Sequence, residues 1–221
     1  MSNVRNLFES FLKMRRADRF LPHNYTGTYE IFERLYSRAR DPWGLQYSPL
    51  AMQRYLTLIE IISQVAPCTA ILDVGCGEGI FTKYLTGFAR EVVGIDVSPT
   101  AIERAKKGVP RASFHCAALE DFHAERRFDL VIAVEMLYYV ESVDAALEKL
   151  QALGKTLIVT YAHQRKRLDS HLDRFCDQSS RRFYSFWGTK GFTLARLSSR
   201  LEEERNGTFD SRGTTDPHWA H

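Results

Sequence analysis

From Thr69 to Ala162, short and nearly unbroken apolar runs alternate with segments whose apolar residues recur every three or four positions. The runs AILDVG (70–75), EVVGID (91–96), ASFHCA (112–117), FDLVIAVEML (128–137) and KTLIVTYA (155–162) predict five strands. Continuous apolar runs of this length, bounded by turn formers, suit strands covered on both faces. Between them, GIFTKYLTGFA places Phe81, Tyr84, Leu85 and Phe88 on one helical face. TAIERAKKG follows Ser98 and Pro99, a side-chain cap and a first-turn proline, and stops at Gly108. SVDAALEKLQALG starts at the cap Ser142, buries Val143, Leu147, Leu150 and Leu153, and ends at Gly154. Strands that alternate with helices predict a parallel sheet. Its ligand crevice lies beyond the carboxyl ends of the strands, where strand order reverses. The loops after Asp73, Asp96, Cys116, Val134 and Tyr161 are therefore the ones to follow.

The flanks are less regular. Residues 1–48 carry aromatics and the turn RDPWGLQYSP, and the helix LAMQRYLTLIEIISQ then leads into the sheet; the expectation is a cap over the site, with 49–221 as the main domain. At the start, Val4, Leu7, Phe8, Phe11 and Leu12 share a helical face ahead of Arg15, Arg16 and Arg19. That is the pattern of a helix packed on its own domain, with a membrane surface as the alternative. The stretch 163–191 reads as helical and basic, FTLARLSSRLEE (192–203) as a strand, and 205–221 as turns with one short strand.

Composition narrows the class. With 44% apolar and 26% charged residues among 221, the chain has the make-up of an ordinary folded globular protein. A net charge of +3 spread along the sequence gives no reason to expect a nucleic-acid partner. Cys68, Cys76, Cys116 and Cys176 lack close spacing, which leaves free thiols in a reducing cytosol and neither a zinc site nor a disulfide framework. No apolar run approaches the roughly 18 residues of a membrane span, so the expected location is cytoplasmic.

The chemistry concentrates in ILDVGCGEGIF (71–81). Glycine at 75, 77 and 79 lets the chain turn at the strand end and lets a ligand approach bare backbone. The dinucleotide fingerprint requires glycine at position 80, where the chain has Ile80, and Asp73 would repel a diphosphate. A cationic ligand would be held, and S-adenosylmethionine carries both an ammonium and a sulfonium. Asp96 ends the second strand about twenty residues on, where a carboxylate accepts from both ribose hydroxyls. A nicotinamide-dependent oxidoreductase is the disfavoured rival.

ILDVGCGEG, VVGIDVSPTAIERAKK and FDLVIAVEMLYYV, in this order, resemble the class I S-adenosylmethionine-dependent methyltransferases over roughly residues 50–200. DPWGLQYSPLAMQRY and AVEMLYYV resemble, within them, the nodulation N-methyltransferases that modify chito-oligosaccharides. The resemblance implies a Rossmann-like α/β fold, a mostly parallel seven-stranded sheet with helices on both faces and an N-terminal helical cap. It implies methyl transfer to a small acceptor, an amino or hydroxyl group of a sugar or glycosylated natural product; a non-catalytic cofactor-binding module is the alternative. Carried over by motif, Asp73, Gly75, Cys76 and Gly77 surround the methionine part, Asp96 the ribose and Val97 the adenine. Ala118 stands where the family often has an acid for the adenine amine; Leu119 and Glu120 follow it. Glu135 is the candidate to bind cofactor or acceptor, or to deprotonate the acceptor, and Tyr138 and Tyr139, the other catalytic candidates, line the pocket or contact the methyl.

Each of these residues also has a plainer reading. Asp73 suits a turn, Asp96 a helix cap, and Tyr138 and Tyr139 packing. Trp43 and Tyr47 fit either sugar stacking or a turn anchored by a buried Trp. His163 and His171 lack metal-ligand spacing, and Arg165, Lys166 and Arg167 read as a solvated face or a contact for an anionic acceptor.

Overall fold

The computed structural model describes residues 29–162, 167–175, 180–187 and 190–198. Seven strands form one sheet: β1 Cys68–Val74, β2 Ala89–Asp96, β3 Ser113–Cys116, β4 Phe128–Val134, β5 Gly154–Ala162, β6 Arg181–Trp187 and β7 Lys190–Ser198. Their order is β3-β2-β1-β4-β5-β7-β6. The first five pair in parallel, and β7 runs antiparallel between β5 and β6. Strand order reverses between β1 and β4, which fixes the crevice above their carboxyl ends.

The helices are α1 Glu30–Arg38, α2 Pro49–Val65, α3 Thr82–Leu85, α4 Pro99–Gly108, α5 Val143–Leu153 and α6 Arg167–Leu172. Ser48, Ser98 and Ser142 cap α2, α4 and α5 by accepting from the backbone N–H three residues on. The apolar runs are continuous because alternate residues meet opposite layers. Leu72, Val131 and Leu157 pack with Leu147, Leu150 and Leu153 of α5. Ile71, Leu130, Ile132 and Ile158 pack with Tyr55, Leu58 and Ile62 of α2. Each fully buried aliphatic side chain stabilises by about 1.5 to 3 kcal/mol, so the sheet is a rigid platform for whatever its carboxyl ends carry.

The mostly parallel seven-stranded sheet, the helices on both faces and the helical segment ahead of β1 match the sequence expectation. Two local readings change. Among the described residues of 163–191, α-helix is confined to α6; RRFYSFW then forms β6, whose backbone pairs with β7. GIFTKYLTGFA holds only the four-residue α3, because Gly79 keeps the preceding turn left-handed and the turn at Gly87 closes the segment onto Tyr84. The amphipathic start, His163, Arg165, Lys166, Cys176 and the short strand expected in 205–221 lie outside the described residues.

Candidate active site

Three glycines at alternate positions, Gly75, Gly77 and Gly79, all take positive φ and wrap the end of β1. The N–H groups of Gly75 and Cys76 donate to the Ile95 carbonyl, so the loop is tied to β2 rather than left hanging. Gly77 is the tightest point: a Cβ there would lie 2.5 Å from the Tyr36 hydroxyl. Bare backbone is thus required under α1, which closes over the loop.

Two acids rise on either side. Asp73 is 2% exposed at the end of β1 and accepts from Thr82 Oγ1 at 2.6 Å. Burial pushes its carboxyl up to about 7, against the Thr82 hydrogen bond, and Asp96 adds to the rise. Asp96 accepts from Gly77 N–H on Oδ2 and from Ser98 N–H on Oδ1, each at 2.9 Å. Burial raises its pKa in spite of these bonds. It therefore shapes the glycine loop and the start of α4 as well as facing the cavity.

Glu135 follows β4 with φ +57, a left-handed conformation that a glutamate adopts only when its surroundings impose it. Its N–H donates to the Thr160 carbonyl at 2.9 Å. Its carboxylate accepts from Tyr138 Oη at 2.9 Å and Thr160 Oγ1 at 3.3 Å, and Oε1 lies 3.4 Å from Arg54 Nε. Tyr138 and Tyr139 occupy the turn beyond it, their rings 4.4 Å apart, and Tyr139 also meets Phe32 and Trp43 at 5.3 and 5.8 Å.

These groups share one cavity of about 510 Å³, within the range of small-ligand sites. Asp73, Gly75, Cys76, Gly77, Asp96, Val97, Leu119, Glu135, Tyr138 and Tyr139 all line it. Burial and the neighbouring acids push the Cys76 thiol well up, which keeps it protonated. Ala118 does not line it. The turn after β3 puts Ala117 and Leu119 there and uses the Ala118 carbonyl to accept from Phe122 N–H at 3.1 Å. Glu120 is engaged by the Tyr29 hydroxyl, and His171 pairs with Asp144 at 2.8 Å, outside the cavity. Trp43 lines the cavity and donates to the Tyr36 hydroxyl at 3.2 Å, while Tyr47 is exposed.

Several groups went unread in the sequence. Arg54 lines the cavity and is 6% exposed; the signal was an arginine on the same stripe as Ala51, Leu58 and Ile62. Thr82, Thr160 and Tyr36 gave none. The cap is laced down by charge. Glu33 accepts from Ser98 Oγ, Thr100 N–H and Thr100 Oγ1, and although burial opposes it, these bonds hold its carboxyl below the usual range. Arg104 donates to Glu78 at 2.6 Å and to the Ala39 carbonyl at 2.9 Å, and Glu78 accepts from Asp41 N–H. Among the described lining residues, Asp41, Asp73, Glu78, Asp96 and Glu135 face a single cation, Arg54. Such a cavity favours a ligand carrying positive charge.

The family model described as Nodulation protein S (NodS) matches residues 26–170. The chain is 33% identical over 110 residues to Nodulation protein S of Sinorhizobium fredii, covering 48% of this chain and 51% of that protein. It is 35% identical over 89 residues to the ubiquinone biosynthesis O-methyltransferase of Rhodopseudomonas palustris, covering 38% and 35%. The chain spans about half the length of the nodulation relatives it matches. Its fold is shared with the crystal structure of N-methyltransferase NodS from Bradyrhizobium japonicum WM9 in complex with S-adenosyl-l-homocysteine. The TM-score is 0.68 at 23% identity, over 78% of this chain and 98% of that one.

Proposed function

The chain belongs to the Nodulation protein S family, and from that premise we propose that it is an S-adenosylmethionine-dependent methyltransferase acting on an amino group of a chito-oligosaccharide or related amino sugar. The observation that carries this reading is the acidic cavity around bare glycine backbone at the β1 and β2 tips. The residues fit the cofactor. Gly75 and Gly77 line the cavity beside the place of its methionine part, and Asp73 answers its positive charge. Asp96 retains lone pairs for the ribose hydroxyls beyond the two backbone bonds it accepts. Val97, Leu119, Phe32 and Tyr139 offer apolar surface for adenine. Arg54 is the cation, among the described lining residues, for the carboxylate.

When bound, the cofactor supplies a methyl group already activated by its sulfonium. What remains for the chain is alignment and exclusion of water. The laced cap covers the glycine loop, and Tyr138, which donates to Glu135, closes the acceptor side. Glu135 accepts the N–H of the incoming amine and turns its lone pair toward the methyl. The test is transfer of labelled methyl from S-adenosylmethionine to a partly deacetylated chitin oligomer, against its fully acetylated counterpart. Label on the amine-bearing oligomer alone is expected. Label on hydroxyls of both would replace N- by O-methylation.

A pH dependence follows from Asp73. Its folded-state pKa of about 7 lies above the usual carboxylate range. Its contribution to stability is therefore full below that range and lost as pH rises through 7. A bound cation favours the ionised form, so binding expels a proton below pH 7. Affinity for S-adenosylmethionine is expected to rise between about pH 5.5 and 7.5, by at most roughly tenfold per unit. Calorimetry in two buffers of different ionisation enthalpy measures the proton released; a flat affinity with no proton release contradicts it.

A further inference from the structure

Arg54 stands on the buried stripe of α2, among Ala51, Tyr55, Leu58 and Ile62, where an apolar residue is the rule. A guanidinium that is 6% exposed requires an anionic partner. The partner present is Glu135, yet the pair is incomplete. Arg54 Nε and Glu135 Oε1 are 3.4 Å apart, and the Nε–H makes no hydrogen bond. Arginine is suited to two parallel bonds with one carboxylate. Neither side is free to close the gap. The guanidinium carbon sits 5.4 Å from the Phe192 ring centroid, while Glu135 is fixed by Tyr138, Thr160 and its left-handed backbone.

We propose that Arg54 is shared between two carboxylates, that of Glu135 and that of the cofactor's methionine part, and that cofactor binding draws the guanidinium's charge away from Glu135 and so strengthens its hold on the acceptor amine. This rests on the S-adenosylmethionine reading above. Five acids and one cation line the cavity among the described residues, so the cofactor's carboxylate finds no second cation there. It must draw on the guanidinium that already serves Glu135. Two anions at one guanidinium repel, and the repulsion falls when an amine hydrogen-bonds Glu135. Cofactor and acceptor therefore favour each other's binding, with Arg54 as the positioning residue that couples them.

Calorimetry on the full chain tests this with two probes, S-adenosylhomocysteine and 5′-methylthioadenosine, which lacks the amino-acid end. Wild type is expected to bind the first more tightly than the second. Glu135→Gln frees Arg54 and is expected to tighten S-adenosylhomocysteine about fivefold or more, leaving methylthioadenosine unchanged. Arg54→Gln is expected to weaken only S-adenosylhomocysteine, about tenfold or more. A glucosamine oligomer is expected to bind wild type several-fold more tightly when S-adenosylhomocysteine is present. If Glu135→Gln does not fold, Glu135→Asp, which withdraws the carboxylate by one methylene, is expected to act in the same direction. Unchanged or weakened S-adenosylhomocysteine binding in the Glu135 variant, or an equal shift for both probes, overturns the sharing alone. Failure of both probes to bind wild type overturns the cofactor reading beneath it.

Discussion

Replacing Asp96 by alanine is expected to weaken S-adenosylhomocysteine binding by about 1 to 3 kcal/mol, roughly 5- to 150-fold. The ribose hydroxyls lose a charged acceptor, and the loop loses the bond that Gly77 N–H donates to Oδ2. The α4 start loses the bond from Ser98 N–H to Oδ1, although the Ser98 hydroxyl still caps the helix. An opposing effect decides the sign for the free protein. Burial already raises the Asp96 pKa, so deleting the carboxylate relieves a desolvation cost. Thermal stability without ligand should therefore change far less than affinity. Calorimetry beside a melting curve separates the two. An affinity within twofold of wild type, in a folded variant, removes Asp96 from the cofactor site.

Gly77→Ala is expected to be at least as damaging. The added Cβ would stand 2.5 Å from the Tyr36 hydroxyl, with φ at +54. Left-handed backbone costs an alanine about 1 to 2 kcal/mol, and the steric term comes on top because Tyr36 is buried and held by Trp43. The cap is displaced, and affinity for S-adenosylhomocysteine falls more than about tenfold, as loss of a closing lid costs. The two causes separate in a double variant. Tyr36→Phe removes the clashing oxygen and leaves the ring carbon at an ordinary 3.5 Å. Gly77→Ala with Tyr36→Phe should recover the steric part and keep the backbone part. If Tyr36→Phe restores nothing, the close approach of α1 is not what Gly77 serves.

The sheet was legible because strands buried on both faces leave unbroken apolar runs, and α4 and α5 announce themselves through serine caps and terminal glycines. β6 was not, since Arg181 and Arg182 continue a basic stretch and only the pairing with β7 makes Phe183 to Trp187 a strand. Asp73 and Asp96 were legible as acids at strand tips, but their partners Thr82 and the Gly77 N–H are set by the folded loop. Ala118 shows how little a turn reveals. A shift of one residue exchanges the side chains that face the cavity, and Ala117 and Leu119 take its place. Glu135 was read from its position after β4, whereas its left-handed backbone and its contact with Arg54, far away in sequence, come from tertiary structure alone. The same holds for Glu33 reaching Ser98 and Thr100 across more than sixty residues.

The proposed function stands on negative side chains at adjacent strand ends holding a cationic methyl donor beside glycine main chain. The direct measurement is calorimetric titration of the full wild-type chain with S-adenosylmethionine and, separately, with NAD. Saturable S-adenosylmethionine binding with no heat from NAD is the predicted result; binding of NAD, or silence toward S-adenosylmethionine from a folded protein, contradicts it.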